Sequence, residues 1–192
     1  MGNELKGEYA AMINAATPEE VYQKVREWTS NLSEKEHLIR SIVLDIHATL
    51  EDRLKEILRR LLSPLIINWG DLGEYEQHKK TLLATINRMS FMRVYELLKP
   101  ALDAFDRDSI DLALLSEINT LRNEAAHPKD KDLIFRGRRL FADHDTLAHL
   151  FVSSWAMNKE IEKFIEKMID DPIEFQRVGY NVYHGKSNPI EK

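Results

Sequence analysis

Arg122, Asn123 and His127 bring a forked cation, a neutral amide and an imidazole into one short stretch of chain. An arginine can hold a phosphate through paired donors, an amide can orient what lies beside it, and an imidazole can move a proton near neutral pH. Together they suit cleavage of a phosphodiester, and the set calls for no metal. On a regular helix Asn123 and His127 are four residues apart and point within about 40° of each other. Arg122 lies about 100° to one side of Asn123, with a side chain long enough to swing back. A structural reading stands beside the chemical one: an Arg-Asn pair on an exposed helix face, and a histidine placed favourably on the helix dipole at the C-terminus. Spacing alone favours the structural reading.

The element that must position these residues is a helix from Ser109, with Ile110, Leu114, Ile118, Leu121 and Ala125 on one face. It ends at His127-Pro128, because proline disfavours helical geometry in the residue before it. With only 7 Gly and 6 Pro, and apolar residues at helical spacing almost throughout, the chain reads as all-α, a helical bundle. The clearest helix opens at Ser33, with Glu36 completing a capping box, and runs to Leu62 before Pro64. Its stripe of Ile39, Ile42, Val43, Ile46, Leu50, Leu54, Ile57 and Leu61 marks it as the central helix, with most charged residues opposite.

Around it we expect a short helix over about residues 3–14 and another opening at Thr17-Pro18-Glu19-Glu20, with Val25 and Trp28 on its buried face. Further helices are expected over about 73–88, from Phe91 to Leu98 ahead of Pro100, and from a cap at Asp145 to about Asp170. Leu147, Leu150, Phe151, Trp155 or Ala156, Ile161, Phe164, Ile165 and Met168 are that last helix's core candidates. Residues 128–144 read as an extended basic loop, and the end of the chain as a loosely attached tail.

A chain of 192 residues with 43% hydrophobic content can bury a core, and its length suits one domain with tails. The expected division is 1–32 for the N-terminal helices, 33–171 for the helical domain and 172–192 for the tail. A net charge of -5 argues against coating nucleic acid or anionic membrane by bulk attraction, so any nucleic-acid contact must be local. The absence of cysteine removes disulfides, thiolate metal sites and cysteine nucleophiles. No run approaches the roughly 18 apolar residues of a membrane span, and the N-terminus lacks the pattern of a signal peptide. A cytoplasmic protein with no membrane association is expected.

The stretch Leu121-Arg122-Asn123-Glu124-Ala125-Ala126-His127 resembles the Arg-polar-x-x-x-His signature of the HEPN superfamily, the higher eukaryotes and prokaryotes nucleotide-binding domains. The long helix before it and the approach from Met89-Ser90-Phe91 through Leu97-Leu98 are similar in character, so the resemblance covers roughly residues 35–170. It implies an HEPN-like helical domain and a metal-independent endoribonuclease of toxin or phage-defence type, without a cofactor. It also implies a homodimer in which the motif helices of two chains face each other across an RNA-cleaving cleft. Arg122 would hold and stabilise the scissile phosphate, His127 transfer protons and Asn123 orient either the histidine or the phosphate, leaving 2′,3′-cyclic phosphate ends. An antitoxin protein is an implied partner. Members paired with a minimal nucleotidyltransferase often carry a tyrosine two residues after the histidine, where Lys129 stands here. A non-catalytic, dimeric interaction or regulatory module similar to mannitol-operon repressor-like proteins is the alternative.

Near the motif, Lys129, Lys131, Arg136, Arg138 and Arg139 could supply RNA phosphate contacts, against the plainer reading of a solvated loop. His47, beside Asp45 and Glu51, could face the same cleft, but reads better as a satisfied histidine at the core edge. His144 and His149 stand five apart, a poor spacing for one helical metal site. Trp28, Trp69 and Trp155 read as core anchors rather than base-stacking platforms.

Overall fold

A computed structural model describes residues 17–29, 36–67, 72–105, 110–127, 132–173 and 177. The expected helix over 3–14, the Ser33 cap, the Trp69 loop, Lys129, Lys131 and nearly all of the C-terminal tail lie outside them. The described chain is helical apart from one two-stranded ribbon: α1 Pro18–Thr29, α2 Glu36–Ile67, α3 Leu72–Arg88, α4 Phe91–Phe105, α5 Leu112–Ala126, β1 Ile134–Phe135, β2 Arg138–Arg139 and α6 His144–Asp170. No helix among the described residues is long and apolar enough to cross a membrane.

The chain divides into two compact units. One comprises Met1–Thr49 with Asp111–Lys159, and the other Leu50–Ile110 with Glu160–Lys192, so α2 and α6 each contribute residues to both. In the first unit Ile39, Ile42, Val43 and Ile46 of α2, Leu114, Ile118, Leu121 and Ala125 of α5, and Leu147, Leu150 and Phe151 of α6 are buried, as their helical spacing requires. Val25 of α1 is fully buried. Tyr22, on the same helix, donates from its hydroxyl to Asp145 Oδ1 at 2.6 Å. That bond holds the proton on the phenol and raises Tyr22 above the ordinary tyrosine range.

In the second unit Leu50, Leu54, Ile57 and Leu61 continue the α2 stripe, and Ile161, Phe164, Ile165 and Met168 line α6. Lys55 is buried there as well, donating to Glu51 Oε1 at 2.6 Å and to the Asn87 carbonyl of α3 at 3.2 Å.

Several boundaries differ from the sequence expectation. Helix α2 runs past Pro64 to Ile67, and α4 past Pro100 to Phe105. A proline removes one intrahelical bond at a cost of about 3 kcal/mol. In α4 the following Ala101 and Leu102 are buried, and their burial offsets part of that cost. Helix α6 is capped by Asp143, not Asp145. Asp143 Oδ1 accepts from the Asp145 amide, its other oxygen from the Thr146 hydroxyl, and its carbonyl from the Leu147 amide. On α6, Trp155 is half-buried and Ala156 exposed, while Met157 takes the core position.

The basic segment expected as an extended loop is a hairpin. Ile134 pairs with Arg139 and Phe135 with Arg138 across a two-residue turn, Arg136-Gly137, with φ of +49° and +76°. Positive φ at both central residues is the geometry that matches the twist of paired strands. Alternation does the rest: Leu133, Phe135 and Leu140 are buried, while Ile134 and Arg139 on the opposite face are exposed.

Candidate functional site at the end of α5

Helix α5 begins at a side-chain cap, Asp111 Oδ1 accepting the Leu114 amide at 3.0 Å. It ends at His127, whose backbone leaves the helix at φ -112° and ψ 88°, outside the α region that a following proline disfavours. The His127 amide closes the last turn on the Glu124 carbonyl at 3.3 Å. The apolar face of α5 is buried, and Arg122, Asn123, Glu124 and His127 are all exposed. Arg122 Nη1 donates to Asn123 Oδ1 at 3.1 Å, so the arginine does swing back onto the amide. Among the described residues, Arg122 has no carboxylate partner and the His127 imidazole no hydrogen bond.

Two buried polar side chains of α2 hold this helix from beneath. Arg40 Nη1 donates to the Glu124 carbonyl at 3.1 Å, its other nitrogens grip Glu36 Oε1 at 2.7 and 2.9 Å, and its guanidinium lies 5.2 Å from the centre of the Phe141 ring. His47, seven residues along the same edge, is 5% exposed, with Nε2 3.3 Å from Asn119 Oδ1. Asn119, Asn123 and His127 follow one another at four-residue intervals along α5. A helix C-terminus carries partial negative charge and is an unfavourable place for a phosphate. The Arg40 guanidinium, paired with Glu36, also donates to one of the last carbonyls of α5, that of Glu124, and Arg122 adds an exposed positive charge.

His47 therefore takes the core-edge place that its sequence surroundings favoured. Arg40 is a site residue that the sequence does not single out, because most charged residues of α2 lie opposite its apolar stripe. Its four-residue spacing from Glu36 was a visible signal of the pair, but its burial and its reach to Glu124 were not.

The hairpin arginines are placed differently. Arg139 pairs with Asp132, Arg136 Nη2 lies 3.9 Å from Asp111, and Arg138 Nη1 lies 3.9 Å from Asp143. The Arg136 amide also donates to Glu117 Oε1 of α5 at 2.7 Å, fastening the turn to that helix. His144 and His149 sit on α6, and no three His, Asp or Glu side chains among the described residues are grouped to hold a metal. Comparison of the chain with family models, with curated proteins and with solved structures finds no match.

Proposed function

We propose that the exposed end of α5 is half of a composite endoribonuclease site, completed by the same surface of a second copy in an HEPN-like dimer. The observation that carries the reading is the outward presentation of Arg122, Asn123 and His127 on a helix end secured from beneath by Arg40. One such surface offers one imidazole. Cleavage by the neighbouring 2′-hydroxyl needs a base for its proton, an acid for the leaving oxygen and cations for the charge on phosphorus. Two-fold symmetry supplies each group twice.

In the proposed reaction one His127 removes the 2′-hydroxyl proton and the 2′-oxygen bonds to phosphorus. The bond to the 5′-oxygen breaks, and the partner's His127 protonates that oxygen. Arg122 neutralises the phosphoryl oxygens, and Asn123, already bonded to Arg122, orients it. The products are a 2′,3′-cyclic phosphate and a 5′-hydroxyl. Lys129 and Lys131, with Arg136, Arg138 and Arg139, extend the phosphate contacts along the strand. The test is RNA cleavage by Arg122→Ala and His127→Ala in separate proteins, with product ends identified. Loss in both is expected, and cleavage like that of the unsubstituted protein in both removes these residues from the mechanism.

The same exposed end would also serve a non-catalytic dimeric module, in which the Arg122-Asn123 bond is simply part of a contact surface. Expression in a host separates the readings. An endoribonuclease of toxin or defence type impairs growth unless His127 is replaced, whereas a regulatory module is tolerated equally with and without the substitution.

A further inference from the structure

A second basic feature lies toward the opposite end of α5. The hairpin and the first turns of α6 enclose an open concavity of about 220 Å³, lined by Phe135, Arg136, Arg138, Thr146 and His149. Strand pairing explains the membership. Phe135 and Arg138 are opposite partners and so share one face of the ribbon, while Ile134 and Arg139 share the other. The concavity therefore takes two guanidinium groups and one imidazole, and excludes Arg139.

Three features make it a built site rather than a chance gathering of surface charge. Arg136 occupies positive φ, where asparagine or glycine is the usual choice, so a strained cationic residue stands at the turn. Its backbone is anchored by Glu117, and its guanidinium lies 5.3 Å from the centre of the Phe135 ring. Among the described residues the carboxylates that face the Arg136 and Arg138 guanidinium groups are Asp111 and Asp143, each at 3.9 Å, an ion-pair distance longer than a hydrogen bond. Asp143 in particular is already engaged by the Asp145 amide and the Thr146 hydroxyl.

We propose that this concavity binds a single phosphoryl group, held by Arg136 and Arg138 with His149 on the opposing wall. Its volume falls below the roughly 300 Å³ at which pockets begin to take drug-sized ligands, which favours one phosphoryl group over a whole nucleotide. The inference draws its ligand chemistry from the RNA reading above but does not depend on cleavage, and binding alone tests it.

The experiment follows the His149 imidazole resonance, assigned with His149→Gln, during titration with inorganic phosphate at constant ionic strength. Chloride serves as the matched control. A saturable shift with phosphate and none with chloride is expected. Arg136→Asn combined with Arg138→Gln, which keeps a residue suited to the turn, weakens binding roughly tenfold or more, whereas Lys163→Gln on the same helix leaves it unchanged. A resonance that does not saturate, or one that responds equally in the double variant, overturns the proposal. Displacement of bound phosphate by a short oligoribonucleotide assigns the site to RNA, and failure to displace it assigns the site to free phosphate esters. Because the readout is binding, an intact pocket in a protein that does not cut RNA would overturn the catalytic reading and leave this one standing.

Discussion

The two ends of α5 use positive charge in different ways. At the N-terminal end, three hairpin arginines each lie near a carboxylate: Arg136 near Asp111, Arg138 near Asp143 and Arg139 paired with Asp132. At the C-terminal end, Arg122 contacts only the neutral Asn123 among the described residues, and Arg40 is buried against Glu36 and the Glu124 carbonyl. The difference separates two kinds of arginine. Among the described residues Arg122 is exposed with Asn123 as its partner, whereas Arg40 is buried and bonded to the helix on which Arg122 stands.

The largest effect should come from breaking the exposed side of that comparison. Arg122→Ala or His127→Ala is expected to lower RNA cleavage by about 10²–10³-fold, in line with the loss of one charge-stabilising or proton-transferring group. Melting should register a change of no more than about 0.5 kcal/mol, because both side chains are exposed. Replacing the buried arginine should do the reverse. Arg40→Met keeps much of the side-chain volume but removes the charged hydrogen bond to α5, and chemical denaturation should show a loss of about 2 kcal/mol.

The other end of α5 gives a smaller effect. Asp111→Ala removes the helix cap and a neighbour of Arg136, and should lower stability by about 1 kcal/mol in the same measurement. The smallest effect is one of pH. The Thr146 hydroxyl bond, with the Thr146 and Asp145 amides and Arg138, holds the Asp143 carboxyl below its ordinary value of 3.8. A depressed folded-state value means stability that is complete above the unfolded value and lost as pH falls through the folded one. Asp143→Asn should therefore flatten the acid side of the stability profile below the usual carboxylate range; an unchanged slope would contradict the assignment of Asp143 as the α6 cap.

Much of this arrangement was legible in the sequence for physical reasons. The apolar stripes of α2, α5 and α6 announced themselves by period, and the end of α5 by the proline after His127. What was hidden depended on partners distant in the chain. Arg40 is a surface residue by composition and becomes a buried one because Glu124, far along the sequence, presents a carbonyl to it. The hairpin was hidden because its turn uses Arg136 where Asn or Gly would have signalled positive φ, and its strands have only two residues each. The extent of α4 was hidden because Pro100 reads as a stop, whereas the buried Ala101 and Leu102 lie in the helix beyond it.

The central claim is that catalysis needs the exposed end of α5 from two chains. The most direct measurement is RNA cleavage by the unsubstituted protein after subunit exchange with an equal amount of the Arg122→Ala/His127→Ala double variant. If a cleft needs both copies, only the dimers of two intact chains cut, and activity per total protein falls to about a quarter. A fall to one half, the result of diluting self-sufficient chains, would contradict the shared site.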